Sequence, residues 1–224
     1  INRPRSEEIS VALILDFSFL VPRTAFRSLK EHALKKRQLG PSVTYFPQPA
    51  TLICTTDEQY KINLMMASWV GIVSKTPPTI AVSLHRDRKT YANIMLNRLF
   101  SINLVSTSLA VAADACGLVT GNRVDKHELT GLGVVPGSVA GVSLVADSPL
   151  NVECRYLREV ELGDYHLVIG EIIEIHACED AFDNGKADVK AFDPLVYLGG
   201  LREYWSLGRK QADAYSAGSV LLKK

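Results

Sequence analysis

The sequence predicts a mainly β domain, a closed barrel or sandwich with a few short helices. Many short β-type runs are separated by turn-forming clusters, and helical stretches are few. The chain has 224 residues, 47% hydrophobic and 22% charged. That supplies one sizeable core and argues against global disorder. No internal repeat or low-complexity linker interrupts the pattern.

Residues 11–21, VALILDFSFLV, are an apolar run broken by Asp16, well short of the roughly 20 residues a bilayer-spanning helix needs. Arg3 and Arg5 precede it, but no small-x-small cleavage site follows. Residues 1–24 are therefore read as an extension of unclear role. The domain is placed at 25–210, with a C-terminal tail over 211–224. Ala25–Leu39 reads as a short helix, with Phe26, Leu29, Ala33 and Leu34 in an apolar stripe and Gly40-Pro41 as its stop. Its other face carries Arg27, Lys30, Lys35, Lys36 and Arg37. The expected role is a solvated cover over one end of a barrel, with a membrane-surface or nucleic-acid role as the alternative.

Strands are expected at Ala50–Thr56, Ile62–Ala67, Trp69–Ser74 and Thr79–Leu84, with a turn at Asp57–Tyr60. Tyr91–Leu99 reads as a short helix with Ile94, Met95 and Leu96 partly buried. Phe100–Val105 is a strand and Leu109–Ala115 a small Ala-rich helix. Gly117–Gly133 is a polar segment with four glycines. Two long strands, Leu150–Val160 and His166–Ala177, are joined at Gly163-Asp164. Pro194–Leu198 and Tyr204-Trp205 are the last apolar stations.

A formal net charge of +1 gives no long-range field that would point to nucleic acid. Residues 1–41 hold eight Lys and Arg against four Asp and Glu. Cysteines at 54, 116, 154 and 178 lack zinc-site spacing, and the chain is large for a disulfide scaffold. They are read as reduced, mostly buried thiols of a cytoplasmic protein. The histidines at 32, 85, 127, 166 and 176 have no metal-ligand spacing, so no metal site is expected. His176 is expected to be an outward or hydrogen-bonded strand residue. Asp180, Asp183, Asn184 and Gly185 imitate a calcium loop, but Phe182 and Ala191 occupy ligand positions.

The chemistry concentrates between Asn63 and Thr90. Ala67, Ser68 and Ser74 surround Trp69 and Gly71, and the run Thr79–Leu84 empties into the basic loop His85-Arg86-Asp87-Arg88-Lys89-Thr90. This combination suits a flat aromatic ligand with a phosphate tail. Thr90 is expected to cap a helix whose N-terminus offers amides and partial positive charge to an anion. Arg88 and Lys89 add charged donors. Ser68, Trp69, Gly71 and Ser74 would cradle a ring, although a strand Trp is as readily a core residue. Asn103, a lone amide in the strand FSINLV, must find hydrogen bonds if it points inward, from a ligand or from neighbouring backbone. The segment 120–126 is either a solvated loop or one that carries Lys126 to a neighbouring subunit's ligand.

These segments resemble, in order, the flavin reductase-like, flavoredoxin-type family, from about Leu29 to Lys210. The resemblance runs through LKEHALKKRQLGPSVTYFPQP, the SW-x-G-x-x-S-x-x-PP segment Ser68–Pro78, SLHRDRKTY, DACGLVTGNRVDKHE, SPLNVECR, HLVIGEI and DPLVYLGGLREYWSLG. It implies an FMN-binding split β-barrel, Greek-key-like, that holds FMN non-covalently at a homodimer interface. On that resemblance Ser68, Trp69, Ser74, Arg88 and Thr90 hold the FMN, Lys126 reaches the flavin region, and Tyr197 lies near the ring. His85-Arg86 stands where relatives often have Arg-Pro, and Tyr165 where they often have a His near the flavin. Ala67, Arg86, Lys89, Asn103 and Tyr165 complete the expected cofactor-binding set.

The activity so implied is an FMN-dependent oxidoreductase passing electrons from NAD(P)H or a protein donor to an acceptor. The alternatives are a non-catalytic electron-transfer module and a split-barrel interaction scaffold without flavin.

Overall fold

The computed structural model describes residues 34–43 and 46–222. Most of the expected N-terminal helix, and all of residues 1–24, lie outside these. Residues 34–39 are not helical, a correction to the predicted helix. Leu34 is 83% exposed and Leu39 58%, and a short helix without a buried stripe has too little to hold it.

From Pro47 onward the chain is dominated by antiparallel strands. The strands are β1 (Pro47–Pro49), β2 (Thr51–Thr56), β3 (Ile62–Ala67), β4 (Val70–Lys75) and β5 (Pro78–His85). Helix α1 (Lys89–Asn97) and strand β6 (Leu99–Leu104) follow, then α2 (Ala110–Leu118), α3 (Lys126–Thr130), β7 (Val134–Pro136) and β8 (Ser143–Val145). The long hairpin β9 (Leu150–Leu162) and β10 (Tyr165–Ala177) precedes β11 (Phe182–Asp183), β12 (Lys186–Ala187) and α4 (Val189–Phe192). Strands β13 (Leu195–Leu198) and β14 (Glu203–Ser206) complete the order. Seven strands form one sheet in the order β3-β2-β6-β9-β10-β5-β4, and β1-β13-β14 form a smaller one. This is the expected mainly β architecture, and the seven-stranded sheet is a split barrel.

The barrel interior is filled by Ile53, Met65, Val82, Leu84, Phe100, Ile102 and Val168, with Ile94 of α1 packed against them. A second cluster lies on the other face of β2, where Leu52 and Cys54 meet Leu64, Ala113 and Cys116. All six residues of β2 are therefore buried. An uninterrupted apolar run, rather than an alternating one, is what a strand covered on both faces requires. Gly170 has a packing reason: a Cβ there would lie 2.6 Å from Cζ of Phe100. Register shifts mark irregularities beside Gly170 and Ile172 in β10.

The expected helix Tyr91–Leu99 begins two residues earlier and ends at Asn97. Arg98 takes a left-handed conformation (φ 58°) and releases Leu99 into β6. Ile94 is fully buried, whereas Leu96 is half exposed. The polar segment 117–133 is not all loop, since it contains α3, whose N-cap Asp125 accepts from the amides of His127 and Glu128. Cys54, Cys116 and Cys154 are buried free thiols, and Cys178 is exposed. Burial pushes the Cys54 thiol up to about 12. His176 is indeed a hydrogen-bonded strand residue, with Nε2 2.6 Å from Oε1 of the fully buried Glu153.

Candidate functional site

The ends of β3 and β5 face each other across an open cleft of about 150 Å³. The chain leaves β3 through a tight bend, in which the Val70 amide donates to the Ser68 carbonyl at 2.9 Å. The Trp69 carbonyl then accepts from the Ser83 amide on β5, also at 2.9 Å. This bend turns Trp69 out of the core and into the cleft wall, 37% exposed. Its ring centroid lies 5.2 Å from that of Tyr165, and Tyr165 meets His85 edge-on at 5.2 Å. Ala67, Ser68, Ser83, Arg88 and Gly117 also line the cleft.

Arg88 continues into a narrower recess with Lys89, Thr90, Thr120, Gly121 and Lys126. Arg88, not Thr90, occupies the N-cap position of α1. Its amide donates to the His85 carbonyl, and its own carbonyl receives the Tyr91 and Ala92 amides. No side chain caps the helix, and no acidic residue stands in its first turn. Thr90 lies within that turn, 2% exposed, its hydroxyl accepting from Nδ2 of Asn63 at 2.9 Å. Open helix-start amides beside a cation are a favourable anion site.

The two lysines of the recess differ. Lys89 is held by Asp57 at 3.0 Å, which pulls the Asp57 carboxyl below its usual range. Lys126 is 4% exposed and donates to the Cys116 carbonyl at 2.6 Å. Among the described residues that carbonyl is its one hydrogen-bond partner, so two of its three N–H donors have none. Burial holds the Lys126 pKa below its ordinary value, and the charge of Arg88 adds to the effect. Arg88 itself has no carboxylate partner among the described residues. Within the chain, Lys126 lines one recess with Arg88 and Thr90. Gly121 allows this closeness, because a Cβ there would sit 2.0 Å from Oδ1 of Asn63.

Four expected site residues lie elsewhere. Asn103 is fully buried in the wall between β2 and β8. It donates to the Leu52 carbonyl and Oγ of Ser101, and accepts from the Val145 amide and Nδ2 of Asn151. All four of its hydrogen-bonding positions are filled by protein. Ser74 bonds the Thr76 backbone in the β4–β5 turn. Arg86 reaches outward to Asp164 at 3.0 Å. Tyr197 stands in the small sheet, opposite Gln48 and against the Tyr204 ring at 5.4 Å. Gln48 in turn receives the Ser68 hydroxyl at 3.4 Å. The sequence reading missed Asn63, Met65 and Met66 on β3, along with Thr120 and Gly117. The period of two through 63, 65 and 67 was the available signal.

The split barrel, with an aromatic cleft running into a cationic recess, places the protein in the flavin reductase-like class. Residues 43–206 match the flavin reductase like domain, and the chain belongs to that family. Flavoredoxin of Desulfovibrio vulgaris (Miyazaki F) superposes with a TM-score of 0.78 at 32% identity, over 82% of this chain and all of that one. A flavoredoxin from Methanosarcina acetivorans gives 0.78 at 31%, over 84% of this chain and all of that one. An uncharacterised Aeropyrum pernix protein is 31% identical over 152 residues. The match covers 67% of this chain and 57% of that protein.

Proposed function

We propose that the chain is an FMN-binding oxidoreductase that takes electrons from NAD(P)H or a protein donor and passes them to an acceptor. One observation carries the reading: the cleft walled by Trp69 and Tyr165 leads into a recess where Arg88 and Lys126 keep donors that the protein does not use. Those residues fit an aromatic ring joined to a phosphate. Arg88, Thr90 and the first amides of α1 would bind the phosphate, and Trp69 and Tyr165 would flank the ring. Lys126 would hold positive charge beside the ligand. The flavin would supply the redox chemistry, while the chain supplies position and electrostatics.

Family membership supports the flavin, and the similarity to two flavoredoxins supports an electron-carrying role as the second reading. Purified protein should be yellow, and its visible absorbance should bleach when NAD(P)H is added without oxygen. Colourless protein that takes up no FMN on titration sinks both readings. Bound FMN that no nicotinamide reduces leaves the electron carrier.

A homodimer in the cytoplasm completes the proposal. Edge strand β4 exposes Ile72 and Val73, and the β9–β10 hairpin exposes Leu157, Val160 and Leu162. Exposed apolar side chains on an edge strand suit a surface that a second copy covers. Light scattering that gives a monomer holding stoichiometric FMN would exclude the dimer. Three buried free thiols suit a reducing compartment.

A further inference from the structure

Behind the cleft, three polar side chains that line neither the cleft nor the recess meet in one corner: Tyr91 of α1, Glu159 of β9 and His166 of β10. The Tyr91 hydroxyl donates to Oε1 of Glu159 at 3.2 Å and lies 3.2 Å from Nδ1 of His166. The Tyr91 and His166 rings pack with their centroids 4.6 Å apart. Oε2 of Glu159 is 3.3 Å from the same nitrogen, and it is buried without a hydrogen-bond partner among the described residues. The His166 side chain is 12% exposed and that of Glu159 26%.

A phenol has a single proton to give. Burial and the Glu159 carboxylate push the Tyr91 hydroxyl above its ordinary range, so it stays protonated and gives that proton to Glu159. Its oxygen is then open to accept. The network is satisfied when Nδ1 of His166 carries a proton and donates to that oxygen. The chain therefore runs from His166 through Tyr91 to Glu159.

Each end of this chain is one residue away from the candidate site. Tyr91 follows Thr90, and His166 follows Tyr165. Strand alternation sends Tyr165 to the cleft and His166 to the opposite face, where Leu84, its partner on β5, belongs to the core. Asn93 and Lys89 tie α1 to Thr55 and Asp57, and Asn63 reaches Thr90 from β3. Tyr91 ties the start of α1 in the other direction, to the long hairpin. No side chain caps that helix start, so this tie restrains the first turn relative to Tyr165.

We infer that Tyr91, His166 and Glu159 are positioning residues whose hydrogen-bond chain sets the spacing between the start of α1, which would bind the phosphate, and Tyr165, which would flank the ring. The inference rests on the FMN reading. A ligand that spans both ends gains from a fixed spacing, because its second contact then needs no further ordering of the protein. A ligand that uses the ring end alone gains nothing from it.

The test compares FMN with riboflavin, which lacks the phosphate, by fluorescence titration of the full chain, Tyr91→Phe, Glu159→Leu and the double variant. Tyr91→Phe keeps the ring and removes only the hydroxyl, so circular dichroism should show an intact fold. It should weaken FMN on the order of fivefold, the scale of one hydrogen bond, and riboflavin less than about twofold. The double variant should lose no more than the weaker-binding single variant, because both changes break one chain. Equal losses for the two flavins, no loss for FMN, or losses that add in the double variant each overturn the assignment. If the parent binds neither flavin, the FMN reading fails, and amide hydrogen exchange in the first turn of α1 decides the tie by itself. Faster exchange of the Tyr91 and Ala92 amides in Tyr91→Phe keeps the tie, and unchanged exchange removes it.

Discussion

The two polar centres of this barrel, around Asn103 and around Lys126, are both buried and behave differently. Asn103 is a lone amide in an apolar strand, and Lys126 a lysine in a polar, glycine-bearing segment. At Asn103, two donors and two acceptor positions all meet protein partners within 3.0 Å. At Lys126, one carbonyl takes one donor, and Arg88 beside it has no carboxylate. The lesson is that burial of a polar group says only that it must be satisfied. Whether protein or ligand satisfies it depends on how many partners the fold brings within reach. Asn103 belongs to the fold, and Lys126 is available for binding.

That contrast breaks most sharply if the first centre turns out to bind ligand. Asn103→Ala should strand the Leu52 carbonyl, the Val145 amide and the Asn151 carboxamide. Unpaired buried groups cost about 1–3 kcal/mol each before relaxation, so a loss of about 3 kcal/mol is expected in urea unfolding. FMN affinity of the folded variant should not change. A stable variant that has lost FMN would reverse the assignment of the two centres.

Arg88→Ala should do the opposite. FMN affinity should fall by roughly 1.5–3 kcal/mol, the scale of a charged hydrogen bond, with little effect on unfolding because the side chain is exposed. Unchanged titration would take Arg88 out of the site.

Lys126→Met sharpens the comparison through two readouts. A cation about 4 Å from a developing charge, at an effective dielectric near 20, contributes on the order of 4 kcal/mol before desolvation and screening. If about a third survives, the two-electron midpoint potential of bound FMN should drop by ~30 mV, which corresponds to about 1.4 kcal/mol. An identical potential in spectroelectrochemistry would leave Lys126 as a structural residue.

The pH dependence has a definite sign. Burial lowers the Lys126 pKa in the folded chain, so FMN affinity should fall as pH rises through that lowered value, and Lys126→Met should flatten the decline. Between the lowered pKa and the ordinary one, the unfolded chain binds more protons at this site. The Lys126 contribution to stability therefore rises with pH across that window. A wild-type affinity profile that matches the variant's would contradict this.

The smallest effect is expected outside both centres. The Tyr204 hydroxyl donates to Asp114 at 2.8 Å, tying the small sheet to α2. Tyr204→Phe should cost about 1 kcal/mol of stability, given its partial exposure, and leave FMN binding unaltered. A large loss of FMN would mean that the small sheet shapes the cleft.

Much of the fold was legible because period and punctuation are local. Ile62–Ala67 was placed with both ends correct, and Thr51–Thr56 within one residue, since β-branched and apolar runs bounded by Asp and Glu turns need no distant partner to be recognised. The long hairpin was equally clear from its Gly163-Asp164 turn. The predicted N-terminal helix does not extend over Leu34–Leu39, which are exposed and non-helical. Strands β7 and β8, three residues each, carry too little pattern to be read.

The candidate site divided along the same line. By itself the sequence determined the basic loop at 85–90, the aromatic and hydroxyl cluster at 67–69, and the glycine-bearing segment that carries Lys126. Their chemistry resides in residue type and in neighbours along the chain. Only the tertiary structure decided which of them meet. It took Trp69 out of the core through the bend at Ser68, packed the Gly121 loop against Asn63, and set Lys126 beside its own chain's Arg88. It also consumed Asn103 in the wall of the barrel and turned Arg86 outward to Asp164. Hydrogen-bond satisfaction and side-chain direction are set by partners far away in sequence, so no local pattern encodes them.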